Sequence, residues 1–377
     1  MAFINLYLCH MRRIIILLVL LLQSTFILRA QISYLDRPDL LDKVKQCLLL
    51  TYNFSFQEAK QVQHELAIET PGHPAPLFLE ALIIYWENFP LLPEDNATPQ
   101  FVELMDKTVE LAKGFLDGEN SYLEGVFFDL FGRAFKAMFW ADNGRAGKII
   151  PDLAVMYRQT KAGFELKEQF KEFYFSTGLY NYYIEAYPEA HPVYKPLVAF
   201  MQDGNKELGL EQLEYSINHS IYLKVESMLF MSLIQLKYEK DLEMASVYAE
   251  RLYRDYPNNV YYQGHLVTVL LYLGKFERVR NVISSMKTQN DDYSEMIRSM
   301  ASAFIAEKES GNNRRATRDF ERTIDYADWF GPFAEQFAAI GYMGLSRIEA
   351  GKGHENEGQE YARKASKYTN YSFILEE

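Results

Sequence analysis

A small or apolar residue recurs along this chain at near-constant spacing, each time just after a turn signal. Gly209, Ala245, Val279, Ala316 and Gly358 stand at steps of 36, 34, 37 and 42 residues. Gly204, Gly274, Gly311 and Gly353 lie five residues ahead of four of them, and the Ala245 copy carries Lys240 there instead. A period near 34 residues is that of a helix-turn-helix unit, which cannot bury its apolar face alone and therefore stacks on copies of itself. In this reading the glycine ends the first helix in a left-handed conformation, and the small residue lets the second helix come close.

Within one copy, MASVYAERLYRDYPNN places Ala245, Ala249 and Leu252 on one helical face before Pro257 stops the helix. Ala59 and Pro71 repeat the spacing of Ala245 and Pro257 near the start, and PLFLEALIIYWENF then supplies an apolar helix. Pro90 to Gln100 reads as a loop, and Phe101, Leu104, Met105, Thr108, Leu111, Ala112 and Phe115 return to helical spacing. No stretch sustains the two-residue alternation of a strand. The expected fold is all-α, a right-handed α-solenoid of stacked helix-turn-helix repeats, degenerate over residues 40–200 and clearer over 201–366 within one domain spanning 31–377.

The Ala245, Ala249, Leu252 and Pro257 pattern, followed by LYLGKFERV, resembles the tetratricopeptide repeat (TPR) superfamily over about two-thirds of the mature chain. That resemblance implies a TPR-like scaffold. The segment HPVYKPLVAFMQDGNKELGLEQL is also similar to the tetratricopeptide repeat protein 39 family in its Asp203, Gly204, Gly209 and Leu210 arrangement. The export signal described next departs from those intracellular proteins.

Arg12 and Arg13 precede the unbroken apolar run Ile14 to Leu22, and LRAQ follows at Leu28 to Gln31. The run is shorter than the ~20 apolar residues that span a bilayer, so residues 1–30 read as a secretory signal peptide cut after Ala30. Contact with a membrane is expected only through this segment if it stays uncleaved. Its removal takes away three arginines and no acid, moving the formal charge from -12 to -15. An acidic mature chain is a poor partner for nucleic acid, whose binding rests on clustered Lys and Arg. Only Cys47 survives processing, which excludes an internal disulfide, and Cys9 lies on the wrong side of the apolar run for lipid attachment. The expected location is the periplasm of a Gram-negative bacterium or the medium outside it.

Catalytic motifs fail at named residues. His64 and Glu65 begin a zinc-protease helix, but Ile68 stands where the second His belongs. GRAGKII has Asp142 in place of the first P-loop glycine and Ile149 in place of the magnesium-binding hydroxyl. GLSRI lacks the last glycine of a nucleophile elbow, and DGENSYLE lacks calcium-loop spacing; each reads as a helix end or solvated turn. His64 and His73 flank a turn without further ligands at metal spacing and read as surface residues. Cys47 in QCLLLTY reads as a small buried hydrophobe. The chain is expected not to be an enzyme and to hold no cofactor or metal.

The chemically distinctive region is FKEFYFSTGLYNYYIEAYPEAHPVYKP, residues 170–196. Its Phe residues read as core between helices. Tyrosine tolerates water, so Tyr180, Tyr182, Tyr183, Tyr187 and Tyr194, near the breaks at Gly178 and Pro188, are the candidate lining of a concave groove. The expected ligand is a protein or peptide. A glycan, bound by a carbohydrate-binding or uptake accessory protein of the envelope, is the alternative.

Overall fold

The computed structural model describes residues 33–192, 195–286 and 292–376. The proposed signal, residues 1–30, lies outside them. Among the described residues there is no strand, and no helix is long and apolar enough to cross a membrane. The helices fall into eight consecutive pairs: α1 (Pro38–Tyr52) with α2 (Phe56–Glu69), α3 (Pro74–Glu87) with α4 (Thr98–Phe115), α5 (Tyr122–Asp142) with α6 (Ile150–Leu166), and α7 (Phe173–Ala190) with α9 (Lys206–His219). The single turn α8 (Lys195–Val198) intervenes there. Next come α10 (Lys224–Ile234) with α11 (Leu242–Asp255), α12 (Val260–Tyr272) with α13 (Phe276–Ser285), α14 (Asp292–Phe304) with α15 (Asn313–Phe330), and α16 (Glu335–Gly351) with α17 (Glu355–Ala365). A last turn, α18 (Ser372–Leu375), ends the chain. This is the stacked-pair α-solenoid of the TPR-like kind.

The recurring small residue has one structural place. Gly209, Ala245, Val279, Ala316 and Gly358 are each the fourth residue of a pair's second helix, each buried, and Ala59 holds the same place in α2. The reason is backbone approach: a methyl group at Gly209 would sit 2.7 Å from the Tyr182 nitrogen and 2.8 Å from the Gly178 carbonyl oxygen. Five residues earlier the chain takes a left-handed turn at Gly274, Gly311 and Gly353, with φ of 67°, 62° and 85°. Lys240 and Phe54 adopt it too, at 58° and 61°, without the freedom of glycine. Gly204 departs from this expectation. It does not take the left-handed turn, and its missing side chain instead leaves room for Ile184 and the Asn181 carbonyl.

Asn205, Asp241 and Asn312 then cap the second helices, accepting from the backbone N–H of Leu208, Met244 and Arg315. The uneven period has its own device. Each of α10 and α14 ends in a π-helical turn, Gln235–Glu239 and Ile305–Glu309, and these fall within the 36- and 37-residue steps. The 34-residue step has none, so the wide turn absorbs the added length before the left-handed residue.

The first helices are apolar nearly all round. α3 buries eleven of its 14 residues and α12 ten of its 13, whereas α13 buries only Val279 and Val282. A helix buried on every side needs neighbours on every side. The second helices cover one flank, and the winding of the solenoid supplies the other, because first helices of the early pairs pack against those of the late pairs. Trp86 meets Tyr261 and Tyr262 with ring centroids 6.1 and 5.6 Å apart. Phe89 meets Tyr261, Tyr293 and Phe333 at 5.1 to 5.6 Å. Phe78, Phe127 and Phe128 all touch Tyr222, and Asn259 donates to the Tyr52 carbonyl. Most of these pairs are edge-on, the arrangement ring quadrupoles favour. The aromatic load of the sequence is spent here, on filling the inside of the winding.

One sequence expectation is corrected at its start. His73 is buried, not at the surface: its ring stacks on Tyr34 at 4.0 Å and its Nδ1 accepts from the Ala75 N–H. Glu124, in the stretch read as a helix end or solvated turn, stands in the first turn of α5, buried and accepting from the Tyr34 N–H. Cys47 is fully buried, as expected, and burial pushes its thiol up to about 12.

Two changes test this account. Lys240→Gly relieves the left-handed strain at the loss of an exposed ion pair to Glu376 worth little, so it should stabilise the chain by about 0.5–1 kcal/mol in thermal unfolding; no gain would mean the strain is not felt. At the seam, Glu226 is buried with the Tyr52 hydroxyl donating to its Oε1, and burial raises its carboxyl to about 7 against that hydrogen bond. A carboxyl raised above its unfolded value near 4.5 binds more protons folded than unfolded, so its contribution to stability falls as pH rises from about 4.5 to 7. Glu226→Gln should therefore stabilise by about 1–3 kcal/mol at pH 8 and by little at pH 4.5. Equal effects at both pH values would place the benefit elsewhere.

Candidate functional site

Four segments converge on the inside of the winding: the last turns of α7, the π turn after α10, the end of α5, and the C-terminal tail that follows α17. Backbone contact between α7 and α9 at Gly178 and Gly209 fixes the rotation of α7. That rotation disposes the candidate tyrosines unequally. Tyr182 is fully buried, its hydroxyl donating to Glu239, so it is a core ring that underlies the cleft and not an exposed member of its wall. Tyr180 is half-buried and donates to the Gln202 carbonyl at 2.6 Å, with its ring against Tyr157 and Phe164. Tyr183 packs edge-on to Tyr182 and Tyr238 at 5.3 and 5.4 Å. Tyr187 is the exposed one, its ring 4.4 Å from that of His191. Tyr194 lies outside the described residues.

The π turn carries Lys237 and Tyr238 into the cleft. The ammonium group of Lys237 lies 4.6 Å from the centre of the Tyr371 ring, a cation–π contact with the tail. Among the described residues no carboxylate comes within ion-pair distance of it. Burial pushes this lysine down to about 8, opposed by the negative charge of Asp142 at the end of α5. The cleft wets Asp142, yet protein surrounds it, and the lost hydration raises its carboxyl to about 6 against the pull of Lys237.

The tail is the fourth side. After α17 it turns back along α16 and reaches the π turn after α10, which gives its apolar residues their seat. The Asn370 side-chain amide lies 3.2 Å from His191 Nδ1. Phe373 stacks edge-on against Tyr272 at 5.0 Å, Ile374 is fully buried, and Glu376 faces Lys240 at 3.6 Å. Ile374 is thus the fully buried apolar anchor of the tail, with Phe373 half-buried beside it.

Two cavities remain on either side of Tyr371. One, of about 300 Å³, is lined by Tyr182, Glu189, His191, Lys206, Lys237 and Tyr238. The other, of about 290 Å³, is lined by Asp142, Lys237, Tyr261, Tyr293, Glu335 and Tyr368. Lys206 is already paired with Glu189 at 2.8 Å. Lys237 faces both cavities.

Other titratable clusters have structural explanations. Ser232 Oγ lies 2.8 Å from His265 Nε2, but it donates its proton to the Ala245 carbonyl and both residues are buried, so the serine is not activated. Burial, with the Lys237 charge, holds His265 down to about 3. Glu349, His354 and Glu357 gather at the exposed turn between α16 and α17, with His354 Nδ1 2.7 Å from Glu349. Sequence reasoning pointed at the α7 tyrosines and missed Lys237, Tyr238, Asp142 and Tyr371. Asp142 had appeared only as the residue that breaks a P-loop, and no local pattern marks a lysine that a π turn redirects.

No family model matches this chain, and no curated protein matches its sequence. Among solved structures it is similar to human IFIT1, in a dimer with PPP-AAAA, at 14% identity and a TM-score of 0.38 over 83% of this chain and 68% of that one.

The electrostatics of the cleft can be read directly. In the reductively ¹³C-methylated protein, the signal absent from Lys237→Met should titrate near pH 8, and Asp142→Asn should move its midpoint lower, because the carboxylate is what holds the ammonium form. A midpoint indifferent to Asp142→Asn would separate the two groups.

Proposed function

We propose that the chain is a non-enzymatic exported scaffold that holds an extended segment of a protein partner in this inner cleft. The observation that carries the reading is Lys237: a cation that meets no carboxylate at ion-pair distance among the described residues, set between two cavities. A half-buried charge that meets only a ring face gains from a direct carboxylate partner, and an incoming one would supply it. The flanking groups suit a peptide. Lys206, Lys240 and the Tyr238 hydroxyl offer hydrogen bonds along the cleft. Its rings meet one another at 79° and 88°, which favours peptide over glycan, since a sugar stacks on a flat exposed row. The acidic balance of the chain argues against nucleic acid as the ligand. The signal-like residues 1–30 support export to the periplasm or beyond.

Crosslinked capture of the tagged protein from its own cell envelope tests both parts. The captured chain should begin at Gln31. An envelope protein should come with it and fall about tenfold or more in Lys237→Met at unchanged melting temperature, the cost of one charge-assisted contact. Equal capture by the variant, or binding to a sugar panel without any protein partner, would overturn the peptide reading.

A further inference from the structure

The tail is itself an extended peptide lying in the cleft. It carries, in order, Asn370, Tyr371, Phe373, Ile374 and Glu376, and each of them touches the winding: His191, Lys237, Tyr272, the apolar core and Lys240 respectively. It forms no helix pair of its own: after α17 it runs back along α16 of the last pair and reaches the π turn after α10, three pairs earlier. It also underfills its seat, with open volume on both sides of Tyr371, and it presents a ring face to Lys237 where a carboxylate would bind more strongly.

We propose that residues 369–376 are a tethered, displaceable occupant of the cleft, standing where a partner binds through a segment of the same character: an aromatic residue, two aliphatic or aromatic residues, then an acid. The proposal rests on the reading of the cleft as a peptide site and adds what the peptide looks like and what it must displace. A tethered segment acts at an effective concentration on the order of millimolar, so a free partner competes only by filling what the tail leaves empty. The added volume and a carboxylate for Lys237 are the means.

The test uses a chain ending at Tyr368 and a fluorescein-labelled peptide of residues 369–377, TNYSFILEE, followed by anisotropy. The truncated chain should bind the peptide with a Kd in the micromolar range, the full chain at least tenfold more weakly, and a peptide carrying Phe373→Ser and Ile374→Ser should not bind. A folded truncated chain that ignores the peptide, or equal binding to both chains, overturns the proposal. If truncation prevents folding, the full chain with Phe373→Ser and Ile374→Ser releases the tail instead and should bind the wild-type peptide. Loss of folding in both makes the tail a structural element and also overturns it. The two readings separate cleanly: peptide binding without any Lys237-dependent envelope partner supports the displaceable tail and counts against the wider function. Lys237-dependent capture with no peptide binding does the reverse.

Discussion

The contact on which the rest of this molecule depends is the meeting of aromatic rings across the inside of the winding. Trp86 and Phe89, at the end of α3, reach Tyr261, Tyr262, Tyr293 and Phe333, residues separated from them by roughly half the chain. An open solenoid leaves its concave side to solvent and to ligands. Here early first helices occupy most of that side, which is why α3 and α12 carry apolar residues around their whole circumference. The same closure brings the end of α5 to the π turn after α10 and so creates the cleft. Without the seam, Asp142 and Lys237 would lie on unrelated surfaces.

Closure also decides the electrostatics. In a shallow concave face the two ions would be hydrated and unremarkable, and their titration would follow the ordinary ranges of their side chains. Walled by protein, with the cleft still wetting Asp142, each is shifted from its ordinary range and held toward it by the charge of the other, although they do not touch. The Tyr371 ring is the direct partner of the lysine, and that ring belongs to the C-terminal tail. The cleft thus concentrates its unmet demand at a point that the chain itself covers loosely.

The repeat was legible in the sequence because it is local. The small residue at the fourth position of each second helix and the glycine five residues before it act within one helix pair, so their spacing survives in the linear chain. Lys240 and Phe54 are the exceptions, since a left-handed turn held by a stack can be built from residues that would not choose it. Gly204 carried the right letter for a different reason, close approach to α7. The seam was legible only as an excess of Tyr and Phe, without a hint of which rings meet. The cleft was half legible. Helical spacing marked the α7 tyrosines as a group, but spacing alone cannot tell which side of α7 the Gly178 contact turns inward: Tyr182 underlies the cavity beside Tyr371, whereas Tyr183 and Tyr187 line neither cavity. Lys237 and Asp142 lie far apart in sequence, and only the winding gives their pairing meaning.

The seam has a consequence for how the chain reaches its structure. Repeat arrays with contacts only between neighbours fold and melt piecemeal, each unit adding its own stability and that of one interface. In this protein the Asn259 side chain bonds the Tyr52 carbonyl, and Tyr52 bonds Glu226, so the first pair is complete only once the fifth and sixth are in place. Such distant pairings raise the contact order and slow folding relative to an open helical array. They also bind the pairs into one cooperative unit, which makes this solenoid a closed body that forms and unfolds as a whole.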